Sequence, residues 1–398
     1  MAEHVCLIRH REYYELPTRR EAEALAAAGF QVHVICLADP EGAPVDVGRS
    51  GIRLHTVPLR RARGSDARYL ADYLTFFLAA SALVTWLHLR FRFRVIQVSS
   101  MPDFLVFATV VPKAMGARVV AFLKEPTPEL GEMRFGPGWW PKLFVRVEQL
   151  AIRYADLTYT VTEQLKAAYV ERGADPSKIR VVLNGPAPDA FPRSNGGGSP
   201  SGSDGDADTT GATRDFSLLC HGVIEERYGH ETILRAVALA REEVPNLRFR
   251  ITGDGTHTSR LRELIDELGL RDHVDLLGWV PLEQLTDELS RADVGIVAQL
   301  SSPYSNLVHT NKMYDYILFG KPVIATRLDS VSAYFGPDSL YYVESGDHVG
   351  LARAIVELYR DPARREELVE NARRLYDRYG WPEQAHTYVR GFQEMART

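Results

Sequence analysis

The helix that we predict from Asn311 to Gly320 carries the residue pair best suited to bind a charged ligand. Lys312 and Asp315 are three positions apart, so they share one face of the first helical turn, beside backbone N–H groups that attract anions. Lysine can neutralise a diphosphate, and a carboxylate can accept hydrogen bonds from both ribose hydroxyls. The pair indicates a nucleoside diphosphate site or, taken alone, a surface ion pair worth roughly 0.2–0.5 kcal/mol.

A second segment favours the ligand-binding interpretation. FSLLCHG reads as a strand that ends at Gly222, and the next loop brings Arg227 to the start of a helix. Glycine turns between a strand and a helix cradle phosphates in nucleotide-binding folds, and arginine can grip two phosphate oxygens at once. A third loop, Gly253-Asp254-Gly255, has the same position after a strand, although any tight turn needs such glycines.

A strand-then-helix rhythm runs through both halves of the chain, which predicts two Rossmann-like doubly wound α/β domains facing each other across a cleft. In the first half, the strand ARVVAFL ends at Lys124 and Glu125. Ligands bind at the carboxyl ends of parallel strands, so these two side chains are candidates for the cleft. The alternative is a solvated loop.

Composition sets the domain boundaries and excludes some partners. The segment from 193 to 214 is rich in Ser, Gly and Asp, and we predict a flexible linker there, between domains at 1–192 and 215–380, with a terminal helix at 381–398. A net charge of −5 argues against nucleic-acid binding. Three distant cysteines in apolar runs and no recognisable secretory signal predict a cytoplasmic protein.

One apolar segment bears on membrane contact. Residues Tyr73–Leu87 carry no charge, but they are fewer than the roughly 20 residues that a bilayer span needs. We therefore predict a buried helix. The alternative is a helix on the inner membrane face, with its basic flank at Arg90, Arg92 and Arg94 meeting lipid phosphates.

Five segments in the second half resemble, in the same order, the donor domain of family-4 glycosyltransferases, which are retaining enzymes of the GT-B fold. They are HGVIEERYGHETILRA, RFRITGDG, VDLLGWVPLEQL, RADVGIV and NKMYDYILFGKPVIA. TRREAEALAAAGFQVHVICL and VSSMPDFLVFATVVPKAMGARVV resemble the acceptor-side domain more loosely, and the last helix resembles one that folds back onto it.

This resemblance implies the site. Arg227 and Lys312 would bind the donor diphosphate and stabilise it as the leaving group, and Asp315 would bind the ribose. The loops at Gly253 and at Trp279 and Val280 would approach the nucleobase. Lys124 or Glu125 would orient the acceptor or the donor sugar. No metal or other cofactor is expected, because no cluster of carboxylates or histidines has ligand spacing.

The chain also departs from the family pattern. Family members often carry two glutamates eight positions apart, where this sequence has Leu307 and Asp315. It is more similar to a subgroup with a K-x-x-D/E-Y donor helix. A commonly basic position before the loop glycine is Tyr228 here, next to Arg227.

The reaction expected from the resemblance is transfer of a sugar from UDP or GDP to a glycan, a lipid-linked glycan or a small natural product, as in polysaccharide biosynthesis. Two alternatives stay open, a sugar-nucleotide 2-epimerase of the same fold and a non-catalytic nucleotide-sugar binding protein. A nicotinamide dehydrogenase is more distant, since no G-x-G-x-x-G follows the first strand.

Overall fold

The computed structural model describes residues 3–13, 16–38, 51–59, 66–188, 191 and 214–397. The chain divides into two compact units, one of Met1–Asn184 with Trp381–Thr398 and one of Gly185–Gly380. The last helix is therefore part of the first unit. The predicted linker lies outside the described residues except for Arg214.

Each unit contains one sheet of parallel strands. The strands are β1 (His4–Glu12), β2 (Gln31–Leu37), β3 (Ile52–Val57), β4 (Val95–Ser99), β5 (Arg118–Leu123), β6 (Leu157–Thr160), β7 (Ile179–Val181), β8 (Phe216–His221), β9 (Leu247–Thr252), β10 (Val274–Gly278), β11 (Val294–Val297), β12 (Val323–Thr326) and β13 (Tyr341–Val343). The first sheet has the order β3-β2-β1-β4-β5-β6-β7 and the second β10-β9-β8-β11-β12-β13. Both follow the doubly wound pattern in which the strand order reverses beside the first strand.

Helices connect these strands. They are α1 (Leu16–Ala27), α2 (Asp66–Phe91), α3 (Val110–Ala114), α4 (Thr127–Phe135), α5 (Trp140–Tyr154), α6 (Glu163–Glu171), α7 (His230–Ala240), α8 (Thr258–Glu267), α9 (Leu282–Arg291), α10 (Lys312–Leu318), α11 (Asp329–Ser332), α12 (His348–Arg360), α13 (Pro362–Tyr379) and α14 (Trp381–Arg397). The prediction of two Rossmann-like domains is confirmed.

Continuous apolar strands explain why each sheet is covered on both faces. In the second unit, Leu218 belongs to one core cluster and its neighbour Leu219 to another, and Ile296 and Val297 divide in the same way. Successive side chains of a strand point to opposite faces, so an uninterrupted apolar run needs a helical layer on each side. The carboxyl ends of the strands are left for loops that carry polar residues.

Three local features differ from what the sequence predicts or decide an alternative that it leaves open. The segment MPDFLVFATVVPKAMG has the pattern of one helix, but it begins as a 3₁₀ helix at Asp103–Thr109 and continues as α3, since Pro112 lacks the N–H that an unbroken α-helix would use. The segment after Lys124 is not a solvated loop, because α4 begins at Thr127. The apolar segment near Tyr73 lies in a helix of 26 residues, and much of that helix is exposed.

Candidate functional site

Three strand ends of the second unit are joined into one surface. The N–H of Gly222, after β8, donates to the carbonyl of Thr252 on β9 over 2.9 Å. The N–H of Gly253 donates in turn to the carbonyl of Gly278 at the end of β10, and Ile224 donates to the carbonyl of Asp254. The loops that follow β8, β9 and β10 therefore hold one another in place.

Glycine is required where these loops meet. Gly222 and Gly253 have φ angles of +100° and +123°, which residues with a side chain rarely adopt. A Cβ atom on Gly253 would lie 1.9 Å from the carbonyl oxygen of Gly222, and one on Gly255 would lie 2.0 Å from that of Ile224. Side chains at these positions would separate the loops, so the glycines keep the backbone close-packed beneath the site.

Arg227 lies in a short 3₁₀ turn, Glu226–Tyr228, between β8 and α7. Its carbonyl accepts a hydrogen bond from the N–H of Leu300, in the loop after β11. Its guanidinium contacts the carboxylate of Glu225 at 3.0 Å and lies 5.1 Å from the ring of Tyr228 and 5.4 Å from that of Tyr304. Backbone and aromatic contacts together fix the direction of this cation.

Lys312 is the first residue of α10 and extends over the Gly222 turn. Its Nζ lies 4.1 Å from the centre of the Tyr228 ring, and a Cβ atom on Gly222 would come within 2.8 Å of its Cε. Burial lowers the pKa of Lys312, and the charge of Arg227 lowers it further, against the opposite effect of Cys220 and Asp315. Lys312 and Arg227 thus approach the same aromatic ring closely enough to repel each other.

Asp315 lies one helical turn along α10, mostly buried, with Oδ2 3.4 Å from Nε2 of His221. Burial lowers the pKa of His221 to about 3, and Lys312 contributes to the shift, so this imidazole is neutral near pH 7. Asp315 therefore places carboxylate oxygens, which accept hydrogen bonds, close to Lys312.

The other predicted donor residues have different surroundings. The carboxylate of Asp254 accepts hydrogen bonds from the N–H of Gly255 and the hydroxyl of Thr258, which ties it to the start of α8. Trp279 is 77% exposed, and Val280 is partly buried. Trp279 follows β10 at the same edge of the sheet, where its ring offers an apolar face to solvent.

The predicted residues of the first unit have a different environment. Lys124 is only 6% exposed and forms an ion pair with the buried carboxylate of Glu21 on α1. Glu21 also accepts a hydrogen bond from Nε2 of Gln97, whose Oε1 accepts one from the hydroxyl of Tyr388 on α14. Lys124 therefore belongs to a buried polar network. Glu125 beside it is partly buried.

The sequence prediction missed the aromatic and histidine residues around the cations. Tyr228 lies beside both cationic side chains and Tyr304 beside Arg227. His230, at the start of α7, has its Nε2 3.5 Å from Sγ of Cys220. Burial lowers the pKa of His230 to about 3. The sequence signal that could have revealed these residues is the pair of short segments CHG and RYGH, which place histidine and tyrosine beside the glycine turn.

The three cysteines lie in the interior, as the apolar runs around them predict. Cys6, Cys36 and Cys220 are all buried thiols. Within the part of the chain that the structure describes, no three His, Cys, Asp or Glu side chains are grouped so that they could hold a metal ion.

Family comparisons agree with the fold. Residues 16–185 match the glycosyl transferase 4-like domain, and residues 207–375 match glycosyl transferases group 1. The lipopolysaccharide core biosynthesis glycosyltransferase LpsD of Rhizobium meliloti is 35% identical over 154 residues, which are 38% of this chain and 42% of the relative. A D-inositol 3-phosphate glycosyltransferase of Pseudarthrobacter chlorophenolicus is 28% identical over 42% of this chain and 40% of the relative. The chain thus spans less than half the length of these curated relatives.

Solved structures share the whole architecture. Anabaena HepE in complex with UDP superposes with a TM-score of 0.70 at 16% identity, covering 98% of both chains. Sucrose-phosphate synthase from Thermosynechococcus elongatus gives a TM-score of 0.74 at 19% identity, covering 99% of both chains. At these identities the likeness establishes the fold. The chain therefore matches two glycosyltransferase domain models in succession, the 4-like domain first and the group 1 domain second, and has the GT-B fold.

Proposed function

We propose that this protein is a retaining glycosyltransferase that transfers a sugar from a UDP- or GDP-sugar and binds the donor diphosphate between Arg227 and Lys312. One observation carries the proposal, the approach of both cations to the Tyr228 ring above the Gly222 turn. The charge of Arg227 lowers the pKa of Lys312, so the two cations repel each other, and a bound anion relieves that repulsion. Asp315 is the proposed acceptor for the ribose hydroxyls.

The proposed reaction breaks the bond between the anomeric carbon and the diphosphate oxygen and forms a bond from the acceptor oxygen to the same face of that carbon. The acceptor proton goes to an oxygen of the leaving diphosphate. Negative charge develops on the diphosphate in the transition state, so cations aimed in advance lower the barrier. Arg227, held by its backbone and by two rings, and Lys312, held over the glycine turn, supply that charge.

The proposed donor and acceptor follow from the relatives. HepE was crystallised with UDP and with UDP-glucose, and LpsD takes part in lipopolysaccharide core biosynthesis. We infer a nucleotide sugar as donor and a glycan, a lipid-linked glycan or a small molecule as acceptor, in polysaccharide biosynthesis at the cytoplasmic face. Lys312, Asp315 and Tyr316 match the K-x-x-D/E-Y subgroup. We propose no metal requirement.

Incubation of the purified protein with UDP- and GDP-sugars, with and without a glycolipid extract from cells, tests the proposal. We expect release of the nucleoside diphosphate that depends on the acceptor, and a product that keeps the anomeric configuration of the donor by NMR. An epimerised nucleotide sugar formed from the donor alone would identify a 2-epimerase. Binding of UDP without turnover in any extract would contradict a transferase.

A further inference from the structure

An uninterrupted apolar stripe runs along the outer face of α2. Its large side chains have exposed fractions between 47% and 66%: Leu70, Leu74, Leu78, Trp86 and Leu89. They are three or four residues apart except between Leu78 and Trp86, where the small exposed side chain of Ala82 fills the intervening position. Such spacing places them on one side of the helix. From Leu70 to Leu89 the stripe is about 29 Å long, at about 1.5 Å per residue. Large apolar side chains exposed in a continuous line mark an interaction surface.

The opposite face of α2 is packed against the first sheet. Phe76, Ala80, Val84 and Leu87 are fully buried, and the ring of Phe76 lies 4.9 Å from that of His10 on β1. By length and composition alone, the part of α2 from Arg68 to Phe91 could cross a membrane. A helix with one side against a sheet cannot be surrounded by lipid, so only contact with a membrane surface is compatible with this packing.

An aromatic projection lies beside the start of the stripe. Trp139 and Trp140, before and at the start of α5, stack with their ring centres 3.8 Å apart, and Phe135 lies 5.9 Å from Trp140. The guanidinium of Arg134 lies 4.8 Å from the ring of Tyr69 on α2 and 5.7 Å from that of Phe135. Arg134 therefore connects the projection to the stripe. We call the stripe and the projection together the α2–α5 surface.

Cations border this surface although the chain as a whole carries a net charge of −5. Arg90 continues the stripe one turn after Trp86, and Arg134, Lys142 and Arg146 are exposed around the aromatic projection. On α2, the carboxylate of Asp72 contacts Nε2 of His10 at 3.2 Å and is mostly buried. Exposed tryptophan and leucine bordered by arginine and lysine are typical of surfaces that enter the interface of an anionic bilayer.

We propose that the α2–α5 surface docks the first unit onto a bilayer with anionic headgroups, with α2 lying parallel to the membrane plane. Leu74, Leu78 and Trp86 enter the acyl boundary, and Arg90 and Lys142 contact lipid phosphates. We favour an anionic lipid surface over a protein partner because arginine and lysine side chains border the exposed apolar residues. This proposal is independent of the transfer reaction, since it rests on the outer face of the first unit.

Cosedimentation with phosphatidylcholine vesicles, with and without phosphatidylglycerol, tests this docking. We expect the full chain to bind the anionic vesicles more tightly than the neutral ones. The double variant Leu74→Glu/Leu78→Glu should bind them at least about tenfold more weakly, because it places two carboxylates in the proposed acyl contact. Leu239→Glu is the matched control, since Leu239 is also 47% exposed on a helix but belongs to the second unit. It should bind like the wild type.

A second measurement needs no variant. Lipids brominated on their acyl chains quench tryptophan that reaches the acyl boundary, so the emission of the wild type should fall on anionic vesicles. An absence of both vesicle binding and quenching contradicts the proposal. A self-associated wild type whose dimer is dissociated by Leu74→Glu/Leu78→Glu, without vesicle binding, would show that the surface joins two copies of the chain instead.

Discussion

Two lysines, one in each unit, have different surroundings. Lys124 follows β5 in the first unit, and Lys312 begins α10 in the second. Lys124 is buried in an ion pair with the carboxylate of Glu21, and burial lowers its pKa to about 7 against the opposite effect of that carboxylate. Lys312 faces the Tyr228 ring beside Arg227, and no carboxylate among the residues that the structure describes lies within ion-pair distance of its Nζ. Loss of a buried lysine that has an ion-pair partner is costly because the partner stays buried, whereas a lysine without such a partner can neutralise a bound anion.

Removal of Lys124 gives the sharpest test of this difference. Lys124→Met leaves the Glu21 carboxylate buried without its partner, and we expect the free energy of unfolding to fall by about 3–5 kcal/mol. Urea unfolding measures it. The double variant Lys124→Met/Glu21→Gln should recover most of the loss. If Lys124→Met unfolds like the wild type but has lost turnover, Lys124 acts in catalysis. That result would contradict the structural role that distinguishes Lys124 from Lys312.

The close-packed glycine turns supply the next effect. Gly253→Ala must place a Cβ where the Gly222 carbonyl lies, at a φ angle of +123°, so we expect about 1–3 kcal/mol of destabilisation together with weaker UDP binding. Gly269→Ala is the control, because Gly269 also has a positive φ but has nothing within 4 Å of an added Cβ. Equal effects of both substitutions on UDP binding would mean that the close approach does not shape the site.

The pH dependence of UDP binding distinguishes the contribution of Lys312 from that of Arg227. The protonated form of Lys312 binds the diphosphate, and burial lowers its pKa below the usual 10.5. UDP affinity measured by calorimetry should therefore fall, by about tenfold, as the pH rises through that lowered pKa, because one diphosphate contact loses its charge. Lys312→Arg should keep its affinity over the same range, since arginine stays protonated. An unchanged wild-type affinity would show that Lys312 does not contact the diphosphate.

Asp315→Asn should have the smallest effect. The amide keeps the shape of the side chain but weakens its hydrogen bonds to the ribose hydroxyls, and we expect UDP affinity to fall only about threefold. The specific readout is the preference for UDP over 2′-deoxy-UDP, which the substitution should reduce. If the preference is the same in both proteins, Asp315 does not bind the ribose.

Sequence patterns predicted the features that depend on neighbouring residues. The alternation of apolar strands and helices gave both doubly wound domains, and the glycines after β8 and β9 do have the predicted turn conformations. Gly320, where the predicted helix ends, has a left-handed conformation, as a glycine that terminates a helix often does. Local geometry of this kind is set within a few residues, so it can be recognised from one sequence.

Contacts between distant parts of the chain could not be predicted. Lys124 and Glu21 are 103 positions apart, and nothing in the sequence KEP shows that its lysine lies opposite a helix that begins at Leu16. The same holds for Tyr228 and Lys312, whose contact depends on the packing of α10 beside the first loop of its domain. For α2, composition indicated an apolar helix, but only the packing shows which of its two apolar faces is covered.

Calorimetric titration of UDP into the wild type and into Lys312→Ala, Arg227→Ala and their combination tests the central claim most directly. Each single substitution should weaken binding by about tenfold or more, because each removes a charged hydrogen bond to the diphosphate. Lys321→Ala, whose lysine donates to the Ser290 carbonyl, should bind like the wild type. Wild-type UDP affinity in both single variants and in their combination would contradict the assignment of this site.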